Sequence, residues 1–484
     1  MEYSIVQLSE KEPISIRLDA EYYHPTFLEI EQKLRHGEWD FLGQLVESIK
    51  SFGAYSLYKH VKYQKNGIPF LRCKDIKNGV IDFSDVLHID SLTNQLLWKS
   101  EIKPETVLLT MSGSVGSSAI AAGNTEYPIN SNQDIAKIIT KKRLNPYYLS
   151  VFLQSSYGNK LISRLPIGSV QQHVFLWQLE KLIIPLFSDM FQLDIEGVFK
   201  CFLSFQEKSL EIYTQAQTFL LSELGLTHWQ PKHQLTFTKN YSETQKAGRI
   251  DAEYYQPKYE EIINAIKNYS GGWDTLGDLC VLVGHPSNPP YADHTDENKT
   301  FIVAQKHLDD YTLSDRYWNS EDAKYTTQEF ITKNQAYALQ KEDLVLYTVG
   351  APPHIGKANL VLETAVKATI GSFVTLIRAK KEAINPFYLL VLFNSPIGYQ
   401  LTNRFQRGMV QQYIYPKDLV QTVIPILPES IQTQIQRKVT ESFKLRKQSK
   451  HLLECAKRAV EIAIEQNEHV AMKWLKNATQ VATV

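Results

Sequence analysis

Cysteine is scarce: the 484 residues hold four, and Cys73, Cys201, Cys280 and Cys455 lie far apart, with no C-x-x-C and no Cys-His spacing that suits zinc. They read as free thiols of a reducing cytoplasm, and no metal site is expected. Long apolar runs are absent too. No stretch approaches about eighteen consecutive apolar residues, and the opening MEYSIVQLSEKEP has neither a basic nor an apolar leader region, so a soluble cytoplasmic protein is expected. Neither sign of charge is in excess, since 52 basic and 52 acidic residues cancel. That excludes a uniformly basic nucleic-acid binder, though not a local basic patch. The 22 glycines form no G-x-G, and neither a P-loop nor a Ser-His-Asp pattern occurs.

What the sequence does have is an internal repeat. RLDAEYYHPTFLEI from Arg17 matches RIDAEYYQPKYEEI from Arg249, and Trp39-Asp40-Phe41-Leu42-Gly43 matches Trp273-Asp274-Thr275-Leu276-Gly277. Asn145-Pro146-Tyr147-Tyr148-Leu149 then matches Asn385-Pro386-Phe387-Tyr388-Leu389, Gly168-Ser169-Val170-Gln171-Gln172 matches Gly408-Met409-Val410-Gln411-Gln412, and Ile184-Pro185 matches Ile424-Pro425. The offset grows only from 232 to 240, so these are two copies of one unit. The middles, about residues 50–140 and 284–380, are much less alike, which suggests one scaffold presenting two surfaces, in a pseudo-two-fold arrangement.

Within a copy, a short helix follows DAEYY, with Phe27, Ile30 and Leu34 on one face. Short β-type runs such as Ile68–Leu71, Thr106–Leu109 and Ala136–Ile139 come next, and Asn145-Pro146 starts another helix. After Ile184-Pro185, the stretch from Asp189 to Leu224 has one glycine and no proline. Ile195, Val198, Phe202, Phe205, Ile212, Ala216 and Phe219 follow a 3-4 spacing broken at Ser209. Ile435, Val439, Ser442, Ser449, Leu453, Ala456, Val460 and Ala463 do the same in the second copy. Two long helices that pair with each other are expected; the competing reading packs each on its own globule. The fold class is α+β.

In this order, and repeated twice, the segments RxDAEYYxP, IPFLRCKDI, TMSGSVG, G-x-V-Q-Q and the Ile-Pro helix start resemble the DNA specificity subunits of type I restriction-modification systems, over about residues 17–470. The resemblance implies two target-recognition domains joined by two long antiparallel coiled-coil helices. It places the first domain at residues 1–187, its spacer helix at 188–226 and a linker at 227–248. The second domain falls at 249–427, its helix at 428–472 and a tail at 473–484. It further implies a non-catalytic chain that reads a bipartite DNA target, with the helices as a ruler. Two methyltransferase subunits carrying S-adenosylmethionine, and through them restriction subunits, are the implied partners, with no cofactor in this chain. Charge fits unevenly. Residues 42–180 hold 15 basic and 10 acidic side chains, a net of +5, whereas residues 275–420 hold 14 and 15, a net of −1.

Several residues are candidate DNA contacts. Arg72 and Lys74 have Ala304 and Lys306 opposite them, a shared Lys suiting a phosphate contact beside a variable base contact; an ordinary solvated loop is the plain alternative. The loop from Thr110 through Ser112, Ser114 and Gly116 aligns with Thr348 through His354, Gly356 and Lys357, either a close backbone approach or simply a tight turn. Gln171 and Gln172 correspond to Gln411 and Gln412, and their retention in both copies argues for backbone rather than base contact. His173 against Tyr413, and Ser169 against Met409, differ as base readers should. Tyr22, Tyr23, Tyr254 and Tyr255 are assigned to packing at the scaffold junction or to a partner interface.

Two enzyme readings compete. Asn288-Pro289-Pro290-Tyr291 matches the NPPY signature of adenine-N6 DNA methyltransferases, whose Asn holds the target amine and whose Tyr stacks on a flipped base. Such an enzyme needs a glycine-rich cofactor loop, and no G-x-G is present. Asp90, Glu101 and Lys103 faintly match a metal-dependent nuclease triplet with nothing equivalent in the second copy. A protein scaffold with no DNA role is the third class.

Overall fold

The computed structural model describes residues 17, 19–52, 61–77, 79–122, 125–168, 172–293, 295, 297–309, 311–314, 320, 322–350, 354–363 and 367–480. Two compact units divide the chain, one of residues 1–209 with 444–484 and one of residues 210–443. Each unit boundary falls inside a long helix, Asp189–Glu223 or Glu429–Glu465.

Unit 1 is built on a four-stranded antiparallel sheet in the order Val46–Lys50, Ile135–Thr140, Val107–Thr110, Ser118–Ile120. Unit 2 repeats it as Cys280–Gly284, Val374–Ala379, Leu344–Tyr347, Ala358–Leu360, and extends it by Thr312–Leu313 and Leu308–Asp309. The middles that share little sequence also share topology. Ile68–Leu71 pairs parallel with Asn130–Ser131, and Thr300–Val303 pairs parallel with Ala368–Ile370. A two-stranded ribbon closes each unit in one register, Trp39 opposite Pro185 and Trp273 opposite Pro425.

The matched blocks turn out to be the joints of this scaffold. Pro146–Gln154 and Pro386–Asn394 are helices whose Asn145 and Asn385 side chains accept from the first free N–H groups. The Asn145 and Asn385 N–H groups donate in turn to Gln192 Oε1 at 2.8 Å and Gln432 Oε1 at 2.9 Å, tying each helix to a long one. Tyr148 and Tyr388 are fully buried, and each hydroxyl donates to the carbonyl of Pro185 or Pro425 at 2.8 Å. Each of these helices then breaks at a serine, Ser155 or Ser395, whose Oγ accepts from the N–H of Gly158 or Gly398 at 3.2 Å.

Within unit 1 the long helices run antiparallel. Ser188 bonds Glu468 at one end, and farther along Ser449 Oγ donates to the Phe202 carbonyl at 2.9 Å. Ile195, Phe199, Phe202, Leu453, Ala456 and Val460 share the core with Tyr148 and Phe152 of the globule. Each helix thus packs on the other, as expected, and on a globule as well; in unit 1 the second copy's helix packs on the first copy's globule rather than on its own. In unit 2 Ile435, Val439, Ala216 and Leu220 do likewise, each large apolar side chain so buried contributing about 1.5–3 kcal/mol. Two boundaries are corrected. The second long helix stops at Glu465 rather than 472, and residues 468–480, assigned partly to a tail, form a separate helix whose Ala471 and Leu475 face the unit 1 core. The linker 227–248 carries its own helix, Tyr241–Ala247.

Candidate nucleic-acid interface

Two loops that look independent in the sequence meet in each unit. His173 pairs with Ile167 through 3.1 and 2.9 Å backbone bonds, and Tyr413 with Arg407 through 2.8 and 2.9 Å bonds, so both units share this narrow pairing, and in unit 2 Gly408–Gln412 is the tip of the hairpin it closes. That hairpin lies against the loop after the central strand: Ser112 bridges His173, and Val349-Gly350 pair with Tyr413-Gln412. The backbone register aligns Val174 and Met111 with Ile414 and Thr348. Thr110 therefore corresponds to Tyr347, one residue from the pairing the sequence suggested. Gly116 and Gly356, both at φ +89, remain matched.

The candidates fall into distinct environments. At the second hairpin tip Met409 and Val410 are 99% and 97% exposed. Gln411 Oε1 accepts from the Tyr413 hydroxyl at 2.9 Å, and Gln412 Oε1 is buried with no partner among the described residues. Tyr413 stacks with Tyr415, ring centroids 6.4 Å apart. Gln172 is exposed, whereas Ser169 and Gln171 lie outside the described residues. Ser114 and His354 are exposed in their loops, and Lys357 is half-buried. Ser112 and Thr348 are buried, so neither offers a side chain to solvent, and Thr348 Oγ1 accepts from Thr375 at 3.1 Å within the sheet.

Arg72 and Lys74 are held by acids. Arg72 precedes the turn Cys73–Asp75, and its guanidinium bonds Asp75 Oδ2 at 3.2 Å and the Asp85 carbonyl at 2.5 Å, while Lys74 pairs with the Asp85 carboxylate. Unit 2 keeps the turn, Gln305–His307, with a different lock: the Ala304 N–H donates to His307 Nδ1 at 2.8 Å. Burial, reinforced by Lys306, lowers the His307 pKa to about 4, which keeps the ring a neutral acceptor. Lys306 donates to the Asp322 carbonyl at 3.2 Å. Arg72→Ala is therefore expected to cost about 1–3 kcal/mol of stability, because Asp75 loses a partner while buried, and Lys74→Ala less than about 1 kcal/mol. Urea denaturation of both variants checks the order; equal effects would mean that the Arg72 clamp is not structural.

The paired tyrosines are packing residues. Tyr22 lies between the guanidinium groups of Arg17 and Arg164, each 4.5 Å from its ring centre, and Tyr254 between Arg249 at 4.5 Å and Arg404 at 4.4 Å. Arg17 and Arg249 also bond Asp19 and Asp251 and reach carbonyls of the segment entering the hairpin pairing, Leu165 and Gln406, both at 2.9 Å. The R-x-DAEYY block is thus a clamp that seats the hairpin. Tyr23 packs edge-on against Tyr22, and Tyr255, buried, donates to the Arg249 carbonyl at 2.8 Å.

Sequence reasoning missed one feature. In unit 1 an open hollow of about 380 Å³ is lined by the polar Ser51, Gln133, Asp134 and His173 over Met111, Phe175 and Leu176. Of its polar residues only His173 was a candidate, because Ser51, Gln133 and Asp134 sit in the divergent middle, where no match drew attention to them.

The enzyme motifs have structural uses. Asn288 Oδ1 accepts from Ser372 at 3.1 Å, and Tyr291 is exposed with Lys324 over its ring at 5.6 Å. Asp90 caps a helix by accepting from the Thr93 N–H at 2.6 Å, and Glu101 accepts from Asn94 at 3.1 Å. Among the described residues no three His, Cys, Asp or Glu side chains cluster as metal ligands, and no helix is long and apolar enough to cross a membrane. All four cysteines are free, and burial raises the Cys73 and Cys280 thiols to about 12.

The chain is similar to type I restriction-modification S subunits. The S subunit from M. genitalium shares 11% identity at a TM-score of 0.35, over 92% of this chain and 96% of that one. The HsdS subunit from Thermoanaerobacter tengcongensis shares 14% at 0.26, over 91% and 96%. A third structure, concerned with complex assembly and conformational transition of the type I R-M system, shares 14% at 0.28, over 91% and 97%. Superpositions this loose assign no residue a role. No model of a known protein family matches the sequence, and no curated protein does.

Proposed function

We propose that this chain is the non-catalytic DNA specificity subunit of a type I restriction-modification complex, each unit reading one half of a bipartite duplex target. One observation carries the reading: the same sheet, turn and hairpin pairing recur in both units with a different side chain at the equivalent position beside the loop, His173 for Tyr413. A scaffold kept constant while its presented residues change suits recognition of two different half-sites by base contacts. Two methyltransferase subunits holding S-adenosylmethionine, and restriction subunits beyond them, complete the proposed cytoplasmic assembly. With net charges of +5 and −1 on the two recognition segments, electrostatic attraction to phosphates is weak, so the partners supply much of the hold on the duplex.

Exchanging residues 42–180 for the same segment of a relative tests the proposal in cells that also carry the methyltransferase partner. The methylated motif is expected to be bipartite and to change in one half only. A change in both halves, or a motif without two halves, sinks the modular reading.

A further inference from the structure

The hollow in unit 1 has a counterpart in unit 2 that the strand register defines. Pairing aligns Lys137 and Lys50 with Leu376 and Gly284, so Ser51 corresponds to His285, Gln133 to Ser372 and Asp134 to Phe373. The framework around these positions is conserved to the individual backbone bond: Asn132 N–H donates to the Leu71 carbonyl, and Gly371 N–H to the Val303 carbonyl, both at 2.9 Å. The side chains share nothing. Unit 1 offers the Asp134 carboxylate and the Gln133 amide oxygen as acceptors, whereas unit 2 offers Phe373, half-exposed, and a serine turned to Asn288.

The acceptors of unit 1 are arranged for a ligand that donates. Asn132 Nδ2 donates to Asp134 Oδ2 at 3.2 Å, which leaves Oδ1 toward His173 Nδ1 at 4.0 Å, beyond hydrogen-bond reach. Burial raises the Asp134 pKa, with His173 opposing it. Gln133 Oε1 is buried with no partner among the described residues, an unfavourable arrangement unless a donor arrives. Phe175 meets the His173 ring edge-on at 4.9 Å, which fixes one wall. In the major groove, cytosine N4 and adenine N6 donate, while guanine O6 and thymine O4 accept and would meet these oxygens lone pair to lone pair.

Resting on the DNA-reading function proposed above, we infer that the Gln133-Asp134-His173 hollow is a base-reading position of unit 1, selecting a base that presents an exocyclic amino group to Asp134 and Gln133. Selection works by satisfying these acceptors with cytosine or adenine and by leaving them unpaired, or repelled, against guanine or thymine.

The test uses the full chain with its methyltransferase partner, reading the methylated motif in cells and binding to duplexes that carry each of the four bases at each position of the first half-site. Asp134→Asn is expected to reduce discrimination at one position of that half at least tenfold, with the second half unchanged; the four-base series tells cytosine from adenine. Gln133→Ala is expected to relax the same position and carries the test if Asp134→Asn does not fold. A bipartite wild-type motif with unaltered preferences in folded variants overturns this inference and leaves the proposed function standing. No bipartite motif from the unaltered chain overturns both.

Discussion

Replacing Gly398 with alanine lowers the melting temperature of the protein by roughly 6–12 °C, on a cost of about 3 kcal/mol in a domain of this size. The helix Pro386–Asn394 ends at Ser395, and Pro396–Asn403 starts at once in a new direction. The turn is so tight that a Cβ on Gly398 would stand 1.8 Å from the Leu392 carbonyl oxygen and 2.8 Å from Phe393 Cα. Both are backbone atoms of a buried helix, and neither can swing aside as a side chain does. Gly158 repeats the geometry in unit 1, its added Cβ 2.1 Å from the Phe152 oxygen. The matched control is Gly197, inside the long helix with nothing within 4 Å. Gly197→Ala is expected to stabilise by about 0.5–1 kcal/mol, since alanine is the better helix former. Differential scanning calorimetry separates the three, and a Gly398→Ala melting point within a degree of wild type would mean that the two helices separate freely.

Lys137→Leu is expected to stabilise unit 1 at pH 6 by several kcal/mol, on the order of 5, and to do little near pH 10. Lys137 lies in the central strand Ile135–Thr140, 3% exposed, its Nζ donating to Ser131 Oγ at 2.9 Å. Burial lowers its pKa from 10.5 to about 7. Between pH 7 and 10.5 the unfolded chain therefore holds a proton that the folded chain has released, so stability rises with pH across that window. Below pH 7 the folded state carries a buried ammonium and the cost is fully present. Leucine removes it, as Leu376 does at the equivalent place in unit 2. Hydrogen exchange of residues 135–140 in both proteins at pH 6 and pH 9 measures the difference; a gain that does not shrink as pH rises would show that Lys137 stays charged in the fold.

The scaffold was legible because its joints are sequence-local. Asn145-Pro146 names its own helix start, and the 3-4 apolar spacing announces Asp189–Glu223. Comparing two copies also exposed the corresponding Gly-containing loops, since Gly168 and Gly408 keep positive φ and so keep glycine. The surface was not legible for the same reason. Where Gln133 and Asp134 stand opposite Ser372 and Phe373, only strand register equates them, and register depends on pairing across some thirty residues rather than on neighbours. The tyrosine pairs were ambiguous because a partner contact and an arginine clamp call for the same exposed-looking Tyr-Tyr. The arginines that form the clamp, Arg164 and Arg404, lie more than 140 residues away.

Unit 2 is one continuous stretch, residues 210–443, but unit 1 is completed by residues 444–484. A nascent chain therefore exposes the first recognition segment to solvent without Leu452, Leu453, Ala456 and Val460 to close its core. At roughly 5–20 residues per second, the ribosome takes on the order of 10–50 s to make the intervening stretch. The segment synthesised first is thus the last to mature, and during that interval its apolar surface is what a chaperone would find.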